Sequence, residues 1–350
     1  MTDPVDPATP IYQKLFNAYR EDILSQRLQP GQRIDSINQM LKKHGVARET
    51  AKRVLNMLAD EGYIVQRRGR GSFVSDLRPK AKIWGLVFPF YSIQYEDLIL
   101  HVANRAAELG REVRHFCNYN SWEEEVRLVG IMVHERYEAV VVIPTMDESK
   151  TWDFYSHLSP QDSPVILLDH TMSSNNFRYV IQTYDLGVTR AIHHLIGQKG
   201  GSVAFVENEL WSGRNMVLEL MRGTYLDILG KIFPDFDPYI LPHGSKVDAE
   251  ELRKRRITGL FCCDDVSAIK VIGSLREQGV SVPDDFGVVS YGNSDLARYF
   301  TPAISSVDPR NAEMSRILAE VLHPSDDAKA QGKSTQLEHV VMPELIIRST

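Results

Sequence analysis

Apolar residues recur every third or fourth position near the start of the chain, and in short near-continuous runs further on. In residues 11–27, Ile11, Leu15, Phe16, Tyr19, Ile23 and Leu24 fall on one side of a predicted helix. Pro30 and Gly31 supply a turn, and Asp35 and Ser36 are placed to cap a second helix running to Lys43. Gly45 supplies a tight turn. Val46, Thr50, Val54, Leu55 and Leu58 then predict a third helix with one buried face, ended by Gly62, and its opposite face carries Arg48, Glu49, Lys52 and Arg53. Residues 63–74 predict two short strands around a basic tip, Arg67-Arg68-Gly69-Arg70-Gly71.

From Ile83 the texture becomes an alternation of strands and helices. Strands are predicted at 83–89, 112–119, 137–144 and 163–170, with helices at 95–110 and 121–136. Ser121 is placed as the N-cap of the latter, with Glu124 closing a capping box. The pattern restarts with helices at 184–200, 216–231 and 266–279 and strands at 202–208, 239–242, 257–265 and 286–293. Such alternation predicts mostly parallel sheets covered on both faces, here as two successive units meeting at a cleft. Ligands of such sheets sit at the carboxyl ends of the strands. The charged, proline-containing connector 75–82 sets the expected boundary, with a first domain over 1–78 and a second over 79–350.

A chain of 350 residues suits two or three domains, and its net charge of −6 looks wrong for a partner of nucleic acid. Split at the boundary, it reads differently. Residues 1–78 hold 13 Lys and Arg against 9 Asp and Glu, whereas the remainder holds 27 against 37. That asymmetry puts the surface for a polyanion at the N-terminal end. Cys117, Cys262 and Cys263 form no disulfide framework and have no metal-ligand spacing around them, so no metal and no cofactor is expected. The start MTDPVDPATP lacks the basic and apolar segments of an export signal, and no apolar run has the length of a membrane span. The expected location is the cytoplasm, with no membrane contact.

The stretches PGQRIDS, GVARETA, LADEG and GRGSFV, all within residues 30–74, resemble the GntR-type winged helix–turn–helix. Asp35 stands where that family usually has Pro, Ala47 where it has Ser or Thr, and Asn38 where many members carry Arg. The resemblance implies operator DNA as the partner. Arg48 opens the recognition helix, where a guanidinium can fork onto guanine O6 and N7. Ser36, Thr50, Lys52 and the wing residues Arg67, Arg68, Gly69 and Arg70 suit phosphate contacts. Asn38, Glu49 and Arg53 complete the expected interface, with Asn38 altering which bases are read.

AIHHLIGQKG (191–200), residues 259–293, TPAISSVDP (301–309) and VMPELIIRST (341–350) resemble the effector domain of LacI-type repressors. The implied fold is α/β: a winged helix–turn–helix followed by a two-lobed, periplasmic-binding-protein-like (type I), doubly wound sensor domain. That resemblance carries ligand contacts onto Tyr95, Asp169, Asp264 and Asn293. Two of them have a plainer alternative: Tyr95 as a core aromatic of its helix, and Asp264 as a cap for the helix at Val266, although Asp265 is better placed to cap. Leu220 stands where the family's ligand-clasping Arg is expected, which argues against an anionic effector. The function implied is that of a transcription regulator, a repressor, acting as a homodimer on pseudo-palindromic operator DNA under control of a small neutral monosaccharide. A sugar-binding or transport-type protein leaves residues 30–74 unexplained. A regulator sensing a non-sugar metabolite stays open. An enzyme lacks any nucleophile arrangement, and Gly69-Arg70-Gly71 lies in a basic hairpin rather than between a strand and a helix.

Overall fold

A computed structural model of the chain describes residues 10–25, 27–67, 69–75, 81–90, 93–158, 165–172, 177–208, 215–233, 235, 237–323 and 338–350. Arg68 and connector residues 76–80 lie outside the described residues. The chain divides into two compact units, Met1–Lys80 and Ala81–Thr350.

The first unit has three helices, α1 (Ile11–Leu24), α2 (Ile37–His44) and α3 (Arg48–Asp60), and an antiparallel hairpin of β1 (Ile64–Arg67) and β2 (Gly71–Val74). Leu15, Phe16, Tyr19 and Ile23 of α1 are buried, whereas Ile11 and Leu24 at its two ends are exposed. Ser36 caps α2: its hydroxyl accepts from Gln39 N, while Gln39 Oε1 accepts from Ser36 N at 2.8 Å. This reciprocal box satisfies two N–H groups that the helix start leaves free. Asp35 does not cap. It accepts from Tyr19 Oη at 2.6 Å and Lys43 Nζ at 2.8 Å, tying α1 to α2. Burial pushes the Asp35 carboxyl up, but those two donors outweigh it and hold the group below its ordinary value. Gly45 adopts φ 66°, the left-handed conformation that ends α2. In α3, Ala51 joins Val54, Leu55 and Leu58 in the core, and Thr50 is left half-buried.

The second unit opens with β3 (Ala81–Phe88), α4 (Ile93–Glu108), β4 (Glu112–Cys117), α5 (Trp122–His134), β5 (Tyr137–Val142), α6 (Trp152–His157), β6 (Val165–Asp169) and β7 (Arg178–Gln182). It continues with α7 (Tyr184–Lys199), β8 (Ser202–Val206), α8 (Met216–Ile232), β9 (Ile240–Leu241), α9 (Ala249–Lys254), β10 (Ile257–Cys262), α10 (Asp265–Glu277), β11 (Gly287–Tyr291), α11 (Asp295–Tyr299) and β12 (Ser305–Asp308). The chain then makes α12 (Asn311–Leu322), β13 (Glu338–Val341) and β14 (Glu344–Ile346). One sheet has the order β13-β7-β6-β5-β3-β4 and is parallel throughout; the other has the order β14-β12-β11-β10-β8-β9, with only β14 antiparallel.

The two lobes are therefore interleaved, not successive as the sequence pattern predicts. α12 returns to the first lobe, where Met314, Leu318 and Val321 share a core with Leu98 and Val102 of α4. β13 pairs with β7, which would otherwise be a bare sheet edge, and β14 pairs with β12. The chain crosses between lobes three times: at Thr183, between Asp308 and Asn311, and between Val341 and Glu344. Core clusters lie on both faces of each sheet. That explains why every residue of β6 is buried and its sequence is a run instead of an alternation. At α5 the Ser121 hydroxyl accepts from Glu124 N at 3.2 Å, but the Glu124 carboxylate turns to Arg127 and forms no capping box. Among the described residues, no helix is long and apolar enough to cross a membrane.

Candidate nucleic-acid interface and effector cleft

Arg48 is the first residue of α3 and Lys52 lies one turn on; both are exposed and neither has a hydrogen bond or ion pair among the described residues. Glu49 is exposed on the same helix, and Asn38 is exposed on α2. A helix end presenting cations with no internal partner is suited to base edges and phosphates. Arg53 is committed otherwise: its guanidinium lies 3.7 Å from the centroid of the Tyr12 ring, packing α3 on α1. The Ser36 hydroxyl also donates to Gln39 Oε1 at 2.7 Å, so the helix cap already uses it. In the wing, Arg70 and Gly69 are exposed at the tip, with Gly69 at φ 74°, and Arg67 stacks on Phe73 at 5.0 Å. Sequence reasoning missed Arg33. It bridges to Phe73, and its Nε is so near Gly71 that a Cβ there would sit 2.8 Å away. Its only signal was a basic residue just before the cap of α2.

In the second unit, strand order reverses between β3 and β5 in one sheet and between β8 and β10 in the other. At such a switch the connections leave in opposite directions and open a crevice at the carboxyl ends of the strands. Phe90 and Met146 follow β3 and β5, and Asn208 and Cys263 follow β8 and β10; all four line one cavity between the lobes. Tyr95, Asp169, Tyr184, Asn215, Met221 and Tyr291 also line it. Both switch points thus open on the same space.

Asp169 is the focus of that space. It ends β6 with φ 71° and is 1% exposed. Oδ1 accepts from Gln182 Nε2 at 2.6 Å, and Oδ2 accepts from Tyr184 Oη at 2.7 Å and, at 3.5 Å, from Tyr95 Oη. His170 Nδ1 stands 3.6 Å from Oδ2, too far for a hydrogen bond. Burial pushes the Asp169 carboxyl up, but the nearby imidazole and the Tyr184 and Gln182 donors outweigh it, and the group sits below its ordinary value. Burial first, and Asp169 second, push Tyr95 and Tyr184 well above the usual phenol range. The cluster therefore presents a carboxylate among neutral hydroxyl donors, a set suited to a ligand's hydroxyl or amine hydrogens.

Behind that wall lies a second buried carboxyl. Glu125 of α5 has no exposed surface and accepts from Asn118 Nδ2 at 3.1 Å, Thr145 N at 2.6 Å and Tyr155 Oη at 2.8 Å. Burial pushes it up to about 7, against the downward pull of Tyr155, Thr145 and His170.

Of the sequence-derived effector residues, Tyr95 and Asp169 line the cavity, and Asp264 and Asn293 do not. Asp264 is the N-cap of α10, its Oδ1 accepting from Ser267 N at 2.6 Å. Asp265, expected as the cap, is instead buried, and takes hydrogen bonds from Ser290, Ser306 and Ser294. Asn293 is held by Asp308, Ser306 and Arg348 at the second crossover. Leu220 is 48% exposed and lies outside the cavity lining, which its neighbour Met221 joins. Gln182, Tyr184 and Tyr291 were not among the expected contacts. Their signal was position: each stands at a strand end or at the first crossover.

Residues 11–74 match the family described as bacterial regulatory proteins, gntR family, and residues 193–350 match the periplasmic binding protein-like domain. The arabinose metabolism transcriptional repressor of Halalkalibacterium halodurans is 22% identical over 95% of this chain and 95% of its own. Among solved structures, the Escherichia coli transcriptional repressor ascG superimposes with a TM-score of 0.62 at 22% identity, over 76% of this chain and 98% of that one. A periplasmic binding protein/LacI transcriptional regulator from Alkaliphilus metalliredigens, complexed with D-xylulofuranose, superimposes with a TM-score of 0.60 at 17% identity, over 77% and 99%. The chain carries a gntR-type helix–turn–helix domain followed by a periplasmic-binding-protein-like domain of two parallel-sheet lobes.

Proposed function

We propose that this union of a gntR-type head with a periplasmic-binding-protein-like sensor is a transcriptional repressor whose operator affinity is set by a small neutral sugar in the interlobe cleft. It acts in the cytoplasm, as a homodimer placing two winged heads on a pseudo-palindromic site. One observation carries the reading: a chain whose exposed Arg48 and Lys52, at a recognition-helix start, have no partner among the described residues also has a cavity where both sheets switch direction. The regulatory relatives and the sugar-bound structural neighbour support it. An inducer that weakens DNA binding must itself be weakened by DNA to the same factor.

The cavity lining favours a second reading of the effector. Phe90, Met146, Val217, Leu218, Met221 and Cys263 give part of the space an apolar wall opposite the polar groups around Asp169, which also admits a metabolite with fewer hydroxyls than a hexose. A thermal-shift panel of neutral monosaccharides, sugar phosphates and less polar metabolites separates the two, because a ligand that binds only the folded state raises its melting temperature. A shift with one neutral sugar, lost in Asp169→Ala, is the expected result. A shift only with phosphorylated sugars refutes the neutral-sugar reading. Selection of binding sites from random DNA tests the head, and Arg70→Ala is expected to lower the slope of log affinity against log salt by about 1. An unchanged slope removes the wing tip from the interface.

A further inference from the structure

Gln182 occupies a position that the reading above does not use. It is the last residue of β7, immediately before the first crossover, and is 4% exposed. Its Nε2 donates to Asp169 Oδ1 at 2.6 Å, while its Oε1 accepts from Tyr291 Oη at 2.6 Å. Asp169 belongs to the first lobe and Tyr291 to the second, so one side-chain amide is bonded to both. Tyr184 braces the same place. It opens α7 in the second lobe, donates to Asp169 Oδ2, and stacks on Tyr291 with ring centroids 5.5 Å apart. Gly187 gives this pair its room, since a Cβ there would lie 2.7 Å from the Tyr291 ring.

The two carboxylate oxygens are not held alike. Oδ2 shares two hydroxyls, one of them distant, whereas Oδ1 has Gln182 Nε2 at 2.6 Å. A ligand donor at Oδ1 competes directly with Gln182. An amide is suited to linking a carboxylate to a phenol, because it donates at one end and accepts at the other. A thioether of similar length donates nothing and accepts only weakly, and an ionised carboxyl only accepts.

We propose that Gln182 is a positioning residue that couples the angle between the lobes to what Asp169 binds. A ligand hydrogen on Oδ1 displaces Gln182 Nε2; the amide then loses its orientation, Tyr291 loses its acceptor, and the second lobe is freed to turn about the crossovers. This rests on the cleft being the effector site, but its test needs no effector.

Cys263 provides the readout, because it is buried on the second-lobe wall of the same cavity. The full chain is treated with a thiol reagent, and tandem mass spectrometry separates Cys263 from Cys262 and Cys117. Gln182→Met and Tyr291→Phe are each expected to speed Cys263 labelling about tenfold, as the loss of about 1.4 kcal/mol of closed-state preference gives. If the bonds form one chain, the double variant labels no faster than either single variant. Tyr225→Phe, which removes a hydrogen bond to Val203 O within the second lobe, is expected to leave Cys263 labelling unchanged. Unaltered labelling in both single variants, or an additive double variant, overturns the proposal while leaving the operator-binding reading intact.

Gln182→Glu separates hydrogen bonding from space filling. Ionised beside Asp169, it repels and labels fast; at roughly pH 5.5 a shared proton restores one donor and one acceptor. Labelling relative to the wild-type chain at the same pH is then expected to fall back towards one. Gln182→Met stays fast throughout. A Gln182→Glu chain that does not recover on acidification refutes the hydrogen-bonded coupling, even if Gln182→Met should fail to fold.

Discussion

A Glu125→Gln variant is expected to be more stable than the wild-type chain at about pH 8, and to lose that advantage as the pH falls towards about 5. Glu125 is fully buried, and its carboxyl is pushed from an ordinary value of 4.5 to about 7. Between those values the folded chain keeps a proton that the unfolded chain has released. Stability therefore falls as the pH rises through that window and levels off above it. At about 1.36 kcal/mol per unit, the full swing is about 3 kcal/mol. Gln can keep accepting from Asn118 Nδ2 and Thr145 N, and its amino group meets Tyr155 Oη where the carboxylate accepted, so the packing survives while the titration disappears. The other groups facing this carboxyl are Tyr155, pushed well above the usual phenol range by burial, and His170. Urea unfolding of both chains at several pH values measures the difference. Parallel stability curves would show that Glu125 titrates alike in the folded and unfolded chains.

Arg48→Ala is expected to cost about 1–3 kcal/mol of affinity for the selected operator and to relax preference at one base position, with little loss on random DNA. The side chain is exposed and has no internal partner among the described residues, so its removal leaves the fold of the head unaltered. Arg53→Ala provides the contrast. Its guanidinium stacks on Tyr12, so losing it should lower head stability as well as DNA affinity. Titrations on operator and random duplexes at one salt concentration decide the matter. Equal losses on both for Arg48→Ala would make it a phosphate contact.

The head was legible because its determinants are local: Ser36 and Gln39 lie three residues apart, and Gly45 turns the chain by itself. Asp35 was misread as a cap because its partner Tyr19 lies 16 residues away. The alternation of the sensor was equally plain, but not its interleaving, since no local pattern says that β13 will pair with β7. In the cleft, the resemblance to LacI-type effector domains carried contacts onto Tyr95 and Asp169, and both line the cavity. It carried them onto Asp264 and Asn293 too, yet a local cap and a contact with Arg348, 55 residues on, hold them elsewhere. Gln182 gave no sign beyond its place at a strand end, because its chemistry exists only once two lobes meet on it.

The interleaving of the lobes also orders events on the ribosome. The head's core uses only residues between Tyr12 and Val74, so it can close as soon as that segment has emerged. Neither sensor sheet is complete until β13 and β14 have been made. At about 5–20 residues per second, a finished DNA-binding head hangs for tens of seconds from a sensor that cannot yet close. A chain stopped anywhere between Asp308 and Glu338 would keep that head while leaving β7 and β12 as bare edges, open to pairing with other chains. Premature termination in this last segment should therefore yield aggregating fragments, not a repressor deaf to its effector.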